Sequence, residues 1–403
     1  MLNLPIVVAA FNRLESLKRL LSSLDRAVYP ADVKLIISID GGVGNADVVD
    51  AARGFEWKHG DKQVISHETN LGLRNHILKC GALTKEYDGI ILLEDDLYVS
   101  PQFYAYAIQA QEAYRDDADI AGIALYSQQY NETAMLPFRP IEDGYDVFFV
   151  QLACSWGQSW LRRQWEGFED WYSSNHDKDL TNDSGVPPDV RLWPATSWKK
   201  YYLKYIIESN RYFVYPRISL STNFADPGVN HFGTNIHQVP LLYKEKTYRF
   251  PKSSRSIARY DAYCEMQPEV LRSLASVVSE YEFEVDLYGM KRREDIKSEY
   301  VVTTQKLSES IKSFARKLKP HELNLCENMP GEVIALGKTE HMPDFGQFLL
   351  YRNKINQDYK NTHNYFYQIT RFHYKSVLHK SYLHQKQISV YKKVYRKIRG
   401  FFS

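Results

Sequence analysis

Several common protein classes are set aside by what this sequence has little of. Its four cysteines, Cys80, Cys154, Cys264 and Cys326, are far apart and form no Cys-x-x-Cys pair, so neither a zinc site nor a disulfide framework is indicated. A reducing cytosol is the simpler setting. Met1 to Ala10 contains neither a basic leader region nor a small-residue cleavage site, and no stretch is apolar enough for long enough to span a bilayer. The expected location is therefore the cytoplasm. A formal net charge of +2 over 403 residues gives no global argument for nucleic acid, and no such partner is expected. Internal repeats and low-complexity tracts are also missing.

What is present is the composition of a folded protein, with 44% hydrophobic and 25% charged residues. The length exceeds one ordinary core, so an N-terminal domain with a substantial C-terminal addition is expected. Aromatic residues make up 14% of the chain, a content that suits an ordinary core and sugar-stacking surfaces equally well.

The chain is organised around Ile90-Ile91-Leu92-Leu93-Glu94-Asp95-Asp96. Four large apolar residues suffice for a buried strand, and this one stops in three adjacent carboxylates. Three acids in a row repel one another. A divalent cation at the carboxyl end of a parallel strand offsets that repulsion, because hard oxygen ligands suit magnesium or manganese. The alternative is a strand that leaves into a solvated acidic turn.

Leu4 to Ala10 reads as a buried first strand, with Phe11-Asn12-Arg13 as its exit loop and Asn12 able to cap the next helix. Leu14, Leu17, Leu21 and Leu24 give that helix one apolar stripe. Val33 to Ile39 forms a second strand ending in Asp40-Gly41-Gly42, and Val64 to His67 a third. Asn70-Leu71-Gly72-Leu73-Arg74 leads into a helix running to about Leu83, and a further helix runs from Pro101 to about Tyr114. Strands at Ile120 to Leu125 and Val147 to Val150 complete an alternating pattern that predicts an α/β layer with a mostly parallel sheet. Ligands of such sheets bind at strand carboxyl ends, where Asp40 and Asp96 fall.

From Trp156 to Trp198 the chain is aromatic and loop-rich, and reads either as the wall of a cleft or as a secondary core. Phe224 to Gly233 is a glycine-punctuated loop carrying Asp226 and His231. Val277 to Tyr288 alternates acids with apolar residues at the period of a half-exposed strand. Beyond Arg371 every formally charged side chain is basic, with Tyr, Leu and Val interleaved. That tail reads as an interfacial helix on anionic lipid, or as a segment that folds back or meets a partner.

Four of these stretches together resemble glycosyltransferases of the GT-A fold, most of all the N-acetylglucosaminyltransferase I group and bacterial polysaccharide glycosyltransferases. Ala9-Ala10-Phe11-Asn12-Arg13 is similar to the nucleotide-binding turn of those enzymes, and Asp40-Gly41 to their nucleoside-contacting acid. Leu93-Glu94-Asp95-Asp96-Leu97 resembles their metal-binding Asp-x-Asp variant, and Gly228 to Gly233 the histidine loop that closes on the donor. The resemblance covers about Met1 to Gln238. It implies an α/β, Rossmann-like GT-A domain over 1–240; beyond it the residues themselves read as a mixed or helical accessory region over 241–370 and the basic tail over 371–403. It implies a nucleotide-sugar site at Ala10, Asn12, Asp40, Glu94, Asp95 and His231, with a divalent metal, Mn2+ or Mg2+, on Asp96.

The residues add to that picture. Glu94 or Asp95 can assist Asp96 through water, and Arg13 and Arg74 carry guanidinium forks shaped for phosphate oxygens. An inverting transfer also needs a carboxylate to accept the acceptor hydroxyl's proton. Asp226 is the expected base, with Glu169 and Asp170 as alternatives. In the animal enzymes a Trp-Asp-Asp-Trp stretch holds the presumed base; the corresponding region here reads Trp198-Lys199-Lys200-Tyr201, without a carboxylate. The expected function is a metal-dependent inverting glycosyltransferase that moves a sugar, UDP-linked, to a glycan or lipid-linked acceptor in bacterial surface polysaccharide synthesis. It would be cytoplasmic or peripheral on the inner membrane face. A non-catalytic GT-A-like glycan-binding or scaffold protein is the other class. A sugar-nucleotide pyrophosphorylase is disfavoured, because Phe11-Asn12-Arg13 offers no glycine-rich phosphate loop.

Overall fold

A computed structural model describes residues 2–344 except 182, 184, 225 and 227–236; His231 and the tail over 371–403 therefore lie outside the described residues. Among the described residues, nine strands form the main sheet. One end of it is made of β1 (Ile6–Ala10), β2 (Leu35–Ile39), β3 (Lys62–Ser66) and β4 (Gly89–Glu94). Across the sheet the order is Arg259–Tyr260, Val147–Val150, Tyr212–Pro216, Ile120–Ala124, Gln158–Leu161, β4, β1, β2, β3. β4, β1, β2 and β3 are mutually parallel, whereas Gln158–Leu161 runs antiparallel to both of its neighbours.

The continuous apolar runs arise because both sheet faces are covered. Val7, Ala9, Ile90 and Leu92 belong to one core, while Ile6, Val8, Ile91 and Leu93 belong to the other. The period-two alternation of a strand sends successive side chains to opposite faces, so a strand buried on both must be apolar throughout. Helix α1 (Leu14–Asp25) covers the second core with Leu17, Leu20, Leu21 and Leu24. Asn12 does not cap it. The N-cap position belongs to Arg13, which makes no capping bond because a guanidinium has no acceptor to offer a helix N–H; it pairs with Asp95 and Asp96 instead. Helix α2 (Ala46–Gly54) has no counterpart in the expected pattern, whereas α3 (Gly72–Ala82) and α4 (Phe103–Ala113) fall close to where the sequence places them.

The aromatic segment after Trp156 is more regular than its composition suggests. It contains the strand Gln158–Leu161 and helix α5 (Arg162–Ser173), followed by the short α6 (Pro188–Arg191) and by α7 (Trp198–Glu208). Trp160, Trp165, Trp198 and Tyr202 are fully buried against one another, so most of these rings are core. The acidic alternation forms only a four-residue strand, Phe283–Asp286, within a second sheet ordered Phe283–Asp286, Tyr300–Thr303, Ile334–Lys338, Lys312–Phe314. Residues from both sheets share one hydrophobic core. Cys80, Cys154 and Cys264 are buried and free, and Cys326 is free and half-buried.

Tyr260, on the edge strand of the main sheet, donates its hydroxyl to Glu322 Oε1 at 2.8 Å. Burial pushes the Glu322 carboxyl from its ordinary 4.5 up to about 7. Because the folded value lies above the unfolded one, the stability contributed by the protonated form is complete below about 4.5 and lost as pH rises through about 7. Glu322→Gln is therefore expected to raise the melting temperature at pH 8.5, by an amount corresponding to about 2 kcal/mol, and to change little at pH 5. Thermal denaturation of both proteins at the two pH values checks this; an equal shift at both would remove Glu322 as the cause.

Candidate active site

Parallel register aligns the strand ends. Ala10 of β1 lies opposite Ile39 of β2, and Ala9 lies opposite Glu94 of β4. The ladder continues one residue further on each side: Asp40 N donates to Ala10 O at 2.9 Å, and Asp95 N to Ala9 O at 3.1 Å. Three loops thus leave the sheet side by side, and two of them begin with acids. They line a cleft of about 710 Å³ formed by residues 9–13, Asp40, 70–76, 94–96, and Ala195 and Thr196. Ala10, Asn12, Arg13, Asp40, Arg74, Glu94, Asp95 and Asp96 all line it.

Asp40 organises one end. Its Oδ1 accepts from Gly41 N at 2.9 Å and Leu71 N at 2.8 Å, and its Oδ2 from Gly72 N at 3.1 Å. The last two groups belong to the start of α3, so a carboxylate from another strand caps the positive end of that helix. Gly41 permits the close approach. A Cβ there would lie 2.4 Å from the backbone carbon of Thr69. Beneath, Ser38 Oγ is hydrogen-bonded to His76 Nε2 at 2.8 Å and His67 Nε2 at 3.2 Å, and burial lowers the His76 pKa to about 4. His76 reaches the cleft, as do Asn75, Leu71 and Gly72, none of which the sequence reading singled out. The available signal was the Asn70-Leu71-Gly72 turn directly after a strand's carboxyl end.

The acids mark the centre. Arg13 Nη1 donates to Asp96 Oδ2 at 3.0 Å, and its Nη2 donates to Asp95 Oδ1. One guanidinium therefore holds one oxygen of each carboxylate. The other two, Asp95 Oδ2 and Asp96 Oδ1, are buried without a hydrogen-bond partner among the described residues. Burial, together with the neighbouring charge of Asp96, pushes the Glu94 carboxyl well above its usual range. Burial raises Asp95 to about 6 against the pull of Arg13. Burial lowers the Arg13 pKa, but the two carboxylates more than reverse this. Two orphaned hard oxygens in a crowded acidic centre are suitable donors for a small divalent cation. No group of three or more His, Cys, Asp and Glu side chains among the described residues has metal-holding geometry, so any such ion would draw further ligands from substrate or water.

Other expected residues fall elsewhere. Arg74 lines the cleft, but its Nη1 donates to Ala195 O at 2.8 Å and its guanidinium lies 4.9 Å from the Tyr201 ring, so it braces α3 against the chain before α7. Asp226, expected as the base, is not in the lining. It forms an ion pair with Arg19 and accepts from Ser16 Oγ at 2.7 Å, both on α1. Burial alone would raise its pKa, but Arg19 and Ser16 hold it below the ordinary carboxylate value. Glu169 and Asp170 sit on α5 outside the cleft lining, with Glu169 paired to Lys85 at 2.8 Å. Phe224 N donates to Asp96 O at 3.1 Å, so the segment carrying Asp226 starts beside the acids.

Residues 6–166 match the family model for glycosyl transferase family 2. The solved structures similar to this chain include S. aureus TarS 1-349 at 12% identity, covering 54% of this chain and 60% of that one with a TM-score of 0.33. The Pyrobaculum calidifontis mannosyltransferase PcManGT, in complex with GDP-Man and Mn2+, is 11% identical over 47% of this chain and 50% of that one, with a TM-score of 0.31. GalNAc-T7 with UDP, GalNAc and Mn2+ is 13% identical over 58% and 46%, with a TM-score of 0.38. This chain thus spans less than two thirds of the length of these structures. No curated protein matches it. The expected fold class holds: a GT-A-type, Rossmann-like α/β domain with a mostly parallel central sheet, followed by a further C-terminal sheet.

Proposed function

We propose that the cleft binds a nucleoside diphosphate sugar and that the protein transfers the sugar, with inversion, to a glycan or lipid-linked acceptor. The observation that carries this reading is the convergence of Asp40, Arg13 and the Glu94 to Asp96 triplet in one cleft at the ends of three parallel strands. All of them lie within the segment that matches the glycosyltransferase family. Asp40 and the turn it supports would hold the nucleoside, for which UDP is the first choice, and Arg13 is within reach of the diphosphate. Asp96 and Asp95 would hold a Mn2+ or Mg2+ ion through the oxygens that have no other partner. When bound, such an ion supplies positive charge against the diphosphate leaving group. The basic aromatic segment beyond Arg371 fits an acceptor held at an anionic membrane surface, as in bacterial surface polysaccharide synthesis.

Asp226 can serve as the base only if its ion pair with Arg19 opens when substrate arrives, because a carboxylate held by a guanidinium is a weak proton acceptor. That same ion pair favours a second reading, a glycan-binding protein without transfer activity. A thermal-shift screen of nucleotide-sugars in the presence of Mn2+ separates the two, since a ligand that binds only the folded state raises its stability. Stabilisation by one nucleotide class is expected; no stabilisation by any of them would remove the transferase reading and leave the glycan-binding one.

A further inference from the structure

Helix α7 carries three lysines on its first two turns, and they are treated differently. Lys200 Nζ donates to Arg191 O at 2.7 Å and Trp193 O at 3.0 Å. Lys204 pairs with Asp183 at 2.6 Å and Glu208 at 3.3 Å. Lys199 has neither a hydrogen bond nor an ion pair among the described residues, although it is only 8% exposed. Its ammonium lies 5.4 Å from the Trp156 ring and 5.2 Å from the Trp193 ring.

Two indole faces attract a cation, but they do not fill its three N–H donors, which remain free for an acceptor. The helix end compounds the charge. The first turn of α7 contains no acid, and it places Lys199 and Lys200 at the positive end of the macrodipole, opposite to the arrangement that stabilises a helix. An uncompensated ammonium and a helix N-terminus therefore point their charge at the same place. That place adjoins the cleft: Ala195 and Thr196, just ahead of the helix, line it, and Lys199 is near enough to Glu94 to act on its charge without pairing with it. Trp156 and Trp193 are both half-buried, and the Trp156 ring also packs against His237 at 4.4 Å and Tyr126 at 4.7 Å, so Trp193 is the ring left to meet a pyranose.

We propose that Lys199, framed by Trp156 and Trp193, is the anion-binding group of a sugar subsite and takes a carboxylate or phosphate carried by the transferred or the accepting sugar. This rests on the donor-site reading above. With the nucleoside at Asp40 and the diphosphate at Arg13 and the acids, a sugar directed past Glu94 toward Ala195 and Thr196 would approach Lys199, which lies just behind that part of the lining. A uronic acid or sugar phosphate supplies acceptors of opposite charge to those donors, which a neutral sugar does not.

Isothermal titration of the full chain with Mn2+ separates the sources. UDP-glucuronate against UDP-glucose probes the transferred sugar; glucose 6-phosphate and methyl glucuronide against methyl glucoside, with UDP present, probe the acceptor. In one arm the anionic sugar is expected to bind about tenfold tighter than its neutral partner, the worth of one charge-assisted hydrogen bond. Lys199→Met should reduce that ratio to about one, and Lys199→Arg, which keeps the charge, should preserve most of it; circular dichroism confirms that both variants fold. If UDP binds and neither arm discriminates, or if Lys199→Met still discriminates, the subsite is wrong while the donor site stands. If UDP itself does not bind, the donor reading falls and takes this one with it.

Discussion

Replacing Asp96 with alanine is expected to lower metal-dependent turnover of a nucleotide-sugar about a hundredfold or more, while the protein keeps its fold. Positive charge on a departing diphosphate is worth several kcal/mol, and each 1.4 kcal/mol or so is tenfold in rate. The fold survives because Arg13 keeps Asp95 as a partner and because the substitution removes one of three crowded acids. The charge of Asp96 is the main electrostatic reason that the Glu94 carboxyl is raised, so its loss should bring Glu94 back toward the ordinary range. Steady-state kinetics across a Mn2+ series, with unfolding curves for both proteins, would detect this. Unchanged turnover with unchanged metal dependence would show that Asp96 is not a ligand.

Asp40→Asn should damage stability and donor binding together. The carboxylate receives three backbone N–H groups, and an amide offers one oxygen and one competing N–H donor in the same space. At least one donor at the start of α3 then loses its acceptor and the helix end loses its compensating charge. The cost is about 3 kcal/mol of folding stability. Because Leu71 to Arg74 form one wall of the cleft, nucleotide affinity should fall by at least about tenfold as well. Denaturant unfolding and titration with UDP measure the two effects. A variant as stable as the wild type, with undiminished UDP binding, would mean that the Asp40 contacts have little energetic weight.

These two residues also mark how far the sequence can be read. The strands were legible because burial on both faces leaves an unbroken apolar run, and in β1 and β4 the acids or exit loop follow at once. The rule that ligands gather at the carboxyl ends of parallel strands then located Asp40 and Asp96 without any contact information. What the chain did not reveal depends on distant pairings. Asp40 caps a helix whose first residues are 31 and 32 positions away, and Arg13 reaches acids 82 and 83 positions on. Asp226 looked suited to accept a proton because nothing local identified Arg19, 207 positions earlier, as its partner. Likewise the indoles after Trp156 could have been cleft or core, and only the packing of Trp160, Trp165 and Trp198 around Tyr202 decides for core. Lys199 stood out in sequence only for the acid it lacks. Its burial between two indoles gives it a positive role.

The central claim is that Asp40, Arg13 and the Glu94 to Asp96 triplet form one working donor site. Its most direct test is the release of nucleoside diphosphate from a panel of nucleotide-sugars, with and without Mn2+, in the wild type and in Asp96→Ala. The predicted result is slow release from one nucleotide class that requires the metal and is lost in the variant. No release from any donor under any metal condition, or release that is indifferent to both metal and Asp96, would contradict it.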